Sequence, residues 1–338
     1  MEDYVYLGTT FNFNGTFHKA KAKQALQAKK ATYSLIRRTR QLNLDFEVSI
    51  ELFERLIIPI LLYGSEIWGY ECPKQIQTTF NKIMRKFLRL HKSTPMCIIN
   101  GELGLKEISE YIENRMINFW SNIATGEESK FSTILYNWVK ILYDQSFQTA
   151  KNDKKPYKSV WVDKIKTTLD NTEMSHLWNG IANEDKAWIK NNIKTRLNDI
   201  YAQSWSESVY TNSTCINYRV MTIVKKTQNY ILKLPKQYVY ALCKFKCANH
   251  RLPIVCGRYA NIPVEDRVCN LCQTNKLGDE FHYLFECPFF HRKRAEHLPR
   301  YYYTLPNTYK MMQLFESSDT KEMLNLAKFT DIIIKQFR

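Results

Sequence analysis

The sequence predicts a mainly α-helical protein with a short N-terminal β-hairpin, a helical bundle, further helices and a small metal-binding module near the C-terminus. Three observations predict it. Apolar residues recur at spacings of three and four through most of the 338 residues, which is the helical period. One Asn-Gly pair between aromatic and β-branched residues signals a hairpin near the start. Six of the nine cysteines lie between Cys243 and Cys287.

Residues 4–17 read as two short strands around the turn Asn12-Phe13-Asn14-Gly15. Over 19–40, Ala22, Leu26, Tyr33 and Ile36 recur at helical spacing, with Lys19, Lys23, Lys29, Lys30 and Arg37 on other faces. Phe53, Leu56, Ile57, Ile60 and Leu61 make a strongly apolar helix that Pro59 should kink or start. The clearest amphipathic unit spans 74–91. Ile76, Phe80, Ile83, Phe87 and Leu90 line one face, and Lys82, Arg85 or Lys86, and Arg89 the other. From 100 to 234 the chain continues helical, with Trp120, Trp138, Trp161, Trp178, Trp188 and Trp205 as core or packing aromatics. The run Lys151-Asn152-Asp153-Lys154-Lys155-Pro156 reads as a linker, and Leu234-Pro235 as a turn before the cysteine-rich part. The divisions expected are therefore 1–18, 19–150, 151–235 and 236–338.

Formal charge is +16, and residues 17–92 hold 15 Lys and Arg against six Asp and Glu. A positive field concentrated in the N-terminal third favours a polyanionic partner. A row of cations such as Lys82, Arg85, Lys86 and Arg89 is most simply a solvated face, but phosphate contacts would also relieve its repulsion. The longest aliphatic run, 56–63, contains Pro59 and is too short to span a bilayer. The odd number of cysteines and the polar start Glu2-Asp3-Tyr4 argue against a disulfide framework and a secretory leader. An intracellular protein, nuclear or cytoplasmic, is expected.

Cys269, Cys272, His282 and Cys287 form a Cys-x2-Cys…His-x4-Cys pattern suited to one Zn2+. The close cysteine pair supplies one tetrahedral edge and the later His and Cys the other; four protein ligands leave no open position, so the role expected is structural. The alternative is that these are buried core cysteines. Cys243, Cys247, His250 and Cys256 also number four, but their spacing matches no closed zinc pattern, and His250 reads as a packed or hydrogen-bonded residue. Three thiolates, an imidazole and Zn2+ sum to −1, so attraction for phosphate must come from the frame: Arg258, Arg267, Lys276, Arg292, Lys293 and Arg294. Tyr259, Phe281, Tyr283 and Phe285 are available either for stacking on bases or for burial around the metal.

These landmarks together resemble the C-terminal part of the reverse transcriptase of non-LTR, LINE-type retrotransposons: the end of the palm, the thumb and a CCHC zinc knuckle. Tyr6-Leu7-Gly8 followed by Asn14-Gly15 looks like the strand pair closing the palm, and the stretch from Ile58 through Pro59, Tyr63, Gly64 and Trp68 to Gly69 is similar to the thumb signature. Gly101-Glu102-Leu103-Gly104 matches a motif beyond it. His250-Arg251-Leu252-Pro253-Ile254, Gly257-Arg258-Tyr259, the four candidate ligands, Glu280-Phe281 and Pro288 look like the knuckle with its lead-in. The likeness runs nearly end to end and is weakest between about 144 and 235. The nine residues between Cys272 and His282 make a longer loop than the retroviral knuckle has.

The resemblance implies 1–18 as palm strands, 19–150 as a thumb-like domain, 151–235 as a connecting region and 236–338 as the knuckle region with a C-terminal helix. It implies RNA, DNA or an RNA–DNA hybrid as partner, held at Lys82, Arg85, Lys86, Arg89, Arg258, Arg267, Arg292, Lys293 and Arg294, with neither membrane nor small-molecule substrate. Polymerisation needs two carboxylates holding two Mg2+ ions, which the family places in an aromatic-Ala-Asp-Asp turn. This sequence has no Asp-Asp dipeptide. Glu184-Asp185, Glu265-Asp266 and Asp279-Glu280 read as surface pairs. No catalytic residue is therefore assigned, and polymerisation by this chain alone is not expected. The alternative is a helical, zinc-stabilised protein-interaction module whose basic charge is incidental.

Overall fold

The computed structural model describes residues 3–12, 15–71, 74–149, 159–181 and 185–337. The linker read at 151–156, and Glu184, lie outside them. Strands β1 (Asp3–Tyr6) and β2 (Thr9–Asn12) pair antiparallel with Tyr6 opposite Thr9. The hairpin turn is thus Leu7-Gly8 and not Asn12–Gly15 as the Asn-Gly signal suggested. Both turn residues have positive φ, +46° and +82°, the handedness that matches strand twist in a two-residue hairpin. Phe13 and Asn14 lie outside the described residues; the Gly15 N–H donates to the Asn12 carbonyl at 3.0 Å, after β2.

Helix α1 (His18–Gln41) buries Ala25, Ala28, Thr32, Leu35 and Thr39, whereas Leu26 and Tyr33 are exposed. The stripe expected on Ala22, Leu26, Tyr33 and Ile36 is therefore displaced: the helix turns its small residues inward, where they permit close packing. α2 (Phe46–Leu52), a π-helical turn Phe53–Ile57 and α3 (Ile58–Leu61) follow one another without a break. Pro59 lacks an N–H and its ring collides with the carbonyl four residues back, and the widened turn before it makes the room. That turn shifts the register, so Phe53, Ile57, Ile58 and Leu61 face inward and Leu56 outward. α4 (Ser65–Trp68) is one turn, and α5 (Lys74–Phe87) ends four residues short of the expected 91 because Arg89 takes φ +55°. α5 buries Ile76, Phe80, Ile83 and Met84, the apolar face its sequence announces.

There follow α6 (Met96–Leu103), α7 (Ile108–Ala124), α8 (Phe131–Thr149), α9 (Val160–Asn171), α10 (Leu177–Gly180) and α11 (Lys186–Tyr210). The chain continues with α12 (Tyr218–Met221), α13 (Asn229–Lys233), α14 (Lys236–Lys246) and α15 (Pro253–Tyr259). It ends with α16 (His291–His297), α17 (Arg300–Tyr303), α18 (Thr308–Glu316) and α19 (Thr320–Gln336). No helix among the described residues is long and apolar enough to cross a membrane.

Two compact units divide the chain. One comprises Met1–Lys30, Ile57–Phe80 and Lys106–Gln203; the other comprises Ala31–Leu56, Asn81–Leu105 and Ser204–Arg338. In the first, α4 packs on α7, with Trp68 and Trp120 fully buried. The stretch 58–69 is held through its backbone. The Arg115 guanidinium donates to the Leu62 carbonyl at 2.9 Å, the Trp68 indole to Tyr63 at 3.0 Å, and the Trp161 indole to Glu66 at 2.8 Å. Gly69 has no room for a side chain, since a Cβ would fall 2.4 Å from Ile112. Trp138 and Trp188 are exposed, against expectation, and Trp138 belongs to an outward apolar stripe on α8 with Phe131, Ile134, Leu135 and Ile141.

In the second unit α14 packs along α19, burying Val239, Leu242 and Phe245 with Met323, Leu326 and Phe329. Here Gly101-Glu102-Leu103-Gly104 has a physical explanation at each position. A Cβ at Gly101 would lie 2.5 Å from the Tyr218 hydroxyl, and one at Gly104 2.3 Å from the Thr227 nitrogen. Leu103 bridges to Thr227, and Glu102 forms an ion pair with Lys246 at 2.8 Å, both side chains fully buried. Glu102 also accepts from the hydroxyls of Tyr230 and Thr222. Gly104 adopts φ +65°. Gly104→Ala is expected to cost about 1–3 kcal/mol from the left-handed backbone alone, and more from the clash with Thr227. Urea unfolding of the variant checks this, and an unchanged midpoint would refute it.

Candidate metal centre

A small hairpin delivers the first two ligands. Val268 bridges to Leu277, the Cys269 N–H donates to Lys276 at 2.8 Å and the Gly278 N–H to Arg267 at 2.8 Å. Asn275, at φ +51°, turns the loop. The other two ligands bracket a π-helical turn, His282–Glu286, which His282 opens and Cys287 follows. In that turn the Cys287 N–H donates to the His282 carbonyl at 2.8 Å. An i→i+5 bond of this kind brings residues five apart onto one edge, which is the physical content of His-x4-Cys.

The ligand atoms of Cys269, Cys272, His282 and Cys287 all lie within 4.8 Å of one another. Cys269 Sγ is 3.9 Å from Cys287 Sγ, and Cys272 Sγ is 3.4 Å from His282 Nε2. A tetrahedral ion with metal–sulfur bonds of about 2.3 Å separates its sulfurs by about 3.8 Å. The donor set is therefore close to the spacing such an ion needs, and four protein ligands would make a closed, structural site and not an open catalytic one. Burial opposes ionisation of Cys272, but hydrogen bonds from Thr274, Cys269 and His282 outweigh it and bring the thiol down to about 6. Burial, reinforced by Cys269 and Cys272, pushes Cys287 up to about 12.

The surroundings orient the ligands. His282 Nδ1 is 3.3 Å from Glu286 Oε2, which leaves Nε2 for the ion, and Glu286 in turn pairs with Lys276 at 2.9 Å. The i, i+4 pair His282 and Glu286 is a signal in the sequence that the motif reading passed over. Arg294, expected to meet phosphate, is instead buried. Its guanidinium donates to the carbonyls of Leu284 at 2.7 Å, Cys287 at 2.9 Å and Tyr283 at 3.3 Å, tying down the ligand turn. Burial lowers its pKa to about 10. Tyr283 and Phe285 are buried as well, so neither is open to stack on a base; Tyr259 is exposed.

The lead-in motif is a cradle for this hairpin. Arg267 passes over Gly257, where a Cβ would sit 2.5 Å from its side chain, and donates to Ile262 at 2.9 Å and Ile254 at 3.2 Å. His250 Nε2 lies 3.0 Å from Glu280, which also accepts from Asn217 at 2.6 Å. Asp279-Glu280 is therefore an internal pair and not the surface pair expected, with Asp279 accepting the His282 N–H at 2.9 Å. Glu265-Asp266 is exposed. The second cysteine group does not converge: Cys243 and Cys247 approach to 3.8 Å, but His250 is engaged by Glu280 and Cys256 is exposed.

The remaining cations are distributed unevenly. Lys82 is exposed, and Arg85 donates to the Thr94 carbonyl at 3.0 Å. Lys86 lies 3.9 Å over the Tyr33 ring and Arg89 4.1 Å over Tyr240. Arg258 donates to Thr214 at 2.6 Å and stacks on Tyr259. Arg292 and Lys293 are exposed and share Glu296.

Fold and site thus define a mainly helical protein with a Cys3His cluster that can hold one metal ion. The chain is similar to an uncharacterized protein of Caenorhabditis elegans described as transposon-derived, 20% identical over 211 residues that cover 56% of this chain and 69% of the relative. No protein-family model matches the chain, and no solved structure matches it.

Proposed function

We propose that this chain is a nucleic-acid-binding, zinc-stabilised segment related to the thumb and knuckle of a LINE-type reverse transcriptase. The observation that carries the reading is the Cys3His centre, whose lead-in residues and flanking motifs occur in the order that the resemblance requires. Each of them has a packing or hydrogen-bonding role around that centre or in the helical units. The transposon-derived relative supports the same origin. Zinc is the ion that three thiolates and an imidazole select best. Binding is sequence-tolerant, because Lys and Arg side chains hold phosphates without reading base edges.

The test is affinity for a labelled RNA–DNA hybrid across a salt series, with Lys82, Arg85, Lys86 and Arg89 changed together to Gln. Each phosphate contact contributes about −0.7 to −0.9 to the slope of log affinity against log salt. A flatter slope in the variant is expected; absence of binding at low salt refutes the reading. The outward stripe of Phe131, Ile134, Leu135, Trp138 and Ile141 favours a second reading, a protein-interaction module, which that negative result would leave standing.

A further inference from the structure

Within the second unit, one cavity gathers four cations from three separate stretches of chain. It measures about 230 Å³ and is lined by Arg40 at the end of α1, Lys86 on α5, Arg89 just beyond it and Lys236 at the start of α14, with Phe46 and Tyr240 as apolar walls. Among the described residues no carboxylate lines it. We propose that this cavity is a phosphate seat, taking one phosphodiester group of a bound nucleic-acid strand. The inference rests on the nucleic-acid reading above and assigns to it two residues, Arg40 and Lys236, that the amphipathic pattern of α5 does not contain.

Several observations converge on it. Lys236 Nζ lies 3.4 Å from the Thr39 carbonyl, which holds the ammonium close to Arg40. Its pKa is lowered first by burial and then by the charges of Arg40 and Arg89, while Asp45 opposes them. Four like charges around one concavity repel, and a phosphate anion removes that repulsion. α14 begins at Lys236, with Pro235 in the N-cap position and no side-chain cap, so the positive end of the helix dipole lies at the residues that line the cavity, Lys236 and Gln237. Arg89 sits at the helix-terminating position with φ +55°, where glycine is the easy choice. The Arg89 guanidinium lies over the Tyr240 ring, 4.1 Å from its centroid, and that ring is met edge-on by Phe46 at 5.4 Å between centroids. That stack fixes the direction in which Arg89 presents its donors. Tyr240 is occupied by these two contacts, so the cavity suits a phosphate and not a stacked base.

The experiment uses the full, zinc-loaded chain and a labelled RNA–DNA hybrid over a salt series. Arg40→Gln/Lys236→Gln is compared with Lys186→Gln/Lys194→Gln, an equal charge change on exposed positions of α11. Loss of one phosphate contact should weaken binding about tenfold near physiological salt and reduce the log–log slope by about 1, with the α11 variant at wild-type values. The charge-retaining variant Arg40→Lys/Lys236→Arg should recover most of the affinity, which a merely misfolded protein would not. If the wild type binds but the Gln pair leaves affinity and slope unchanged, the cavity is no phosphate seat and the nucleic-acid reading stands. If both Gln pairs weaken binding equally, net charge accounts for the effect and the seat is refuted. If the wild type fails to bind, both fall together.

Discussion

Lys246→Met is expected to destabilise the protein by about 3–5 kcal/mol, because it strands the Glu102 carboxylate without its counter-ion in a fully buried site. For a cooperative unit of 150–250 residues this corresponds to a melting point lower by roughly 10 °C. The ammonium does more than pair with Glu102. It lies 5.2 Å from the centroid of the Tyr230 ring and 5.7 Å from that of Tyr218, and it reaches Gln228 at 3.4 Å. These partners come from α6, α12, α13 and the turn before it, so the pair joins segments far apart in the chain. A buried ion pair is not by itself a net source of stability, since two charges must be taken out of water. The cost arises from removing one member. The double variant Glu102→Gln/Lys246→Met leaves no unpaired charge and keeps an acceptor for Tyr230, so it should regain more than half of the loss. Thermal melts of wild type, both single variants and the double variant check this. A single Lys246→Met variant as stable as wild type would sink the argument.

Glu102 also shows where the sequence is legible and where it is not. The four candidate ligands are readable because metal chemistry restricts both residue type and spacing, so Cys269, Cys272, His282 and Cys287 announce themselves as a group without knowledge of the fold, and the fold brings them together. The apolar face of α5 is readable because period 3.6 is a local property, and Ile76, Phe80 and Ile83 are buried as that period requires. Glu102, by contrast, is a charged residue in a short Gly-Glu-Leu-Gly run, and nothing local reveals that Lys246 will meet it in the core. Arg294 fails for the same reason in the opposite direction. Its position in Arg-Lys-Arg suggests a solvated cluster, while the tertiary fold spends its guanidinium on three carbonyls of the ligand turn. In α1, Leu26 and Tyr33 look like core residues by hydrophobicity. The interior instead takes Ala25, Ala28 and Thr32, because close helix packing selects size as well as polarity. At the hairpin, Asn14-Gly15 is the stronger turn signal on paper, yet Leu7-Gly8 forms the turn because the strands pair about Tyr6 and Thr9.

Metal removal is the second large effect expected. Purified chain should carry one equivalent of zinc, and chelation should abolish that stoichiometry and lower the melting point of the second unit by ten degrees or more. The reason is that the ion would link the hairpin around Cys269 to the turn after His282, and its binding free energy is realised only in the folded arrangement. The loss should nevertheless stop short of complete unfolding. Tyr283 stacks edge-on with Phe337 at 5.0 Å, and Phe290 packs against Phe329 at 6.2 Å, so the module is anchored to α19 by aromatic contacts that do not need the ion. Far-UV circular dichroism should therefore keep most of its helical signal after chelation. Cys269→Ser should reproduce the chelated state. Cys256→Ser removes an exposed thiol outside the centre and should leave one equivalent bound, as the geometry of a single four-ligand site requires. Loss of zinc in the Cys256 variant would show that the ligand set is wrong, and an unchanged melting point after chelation would show that the centre holds no structural ion.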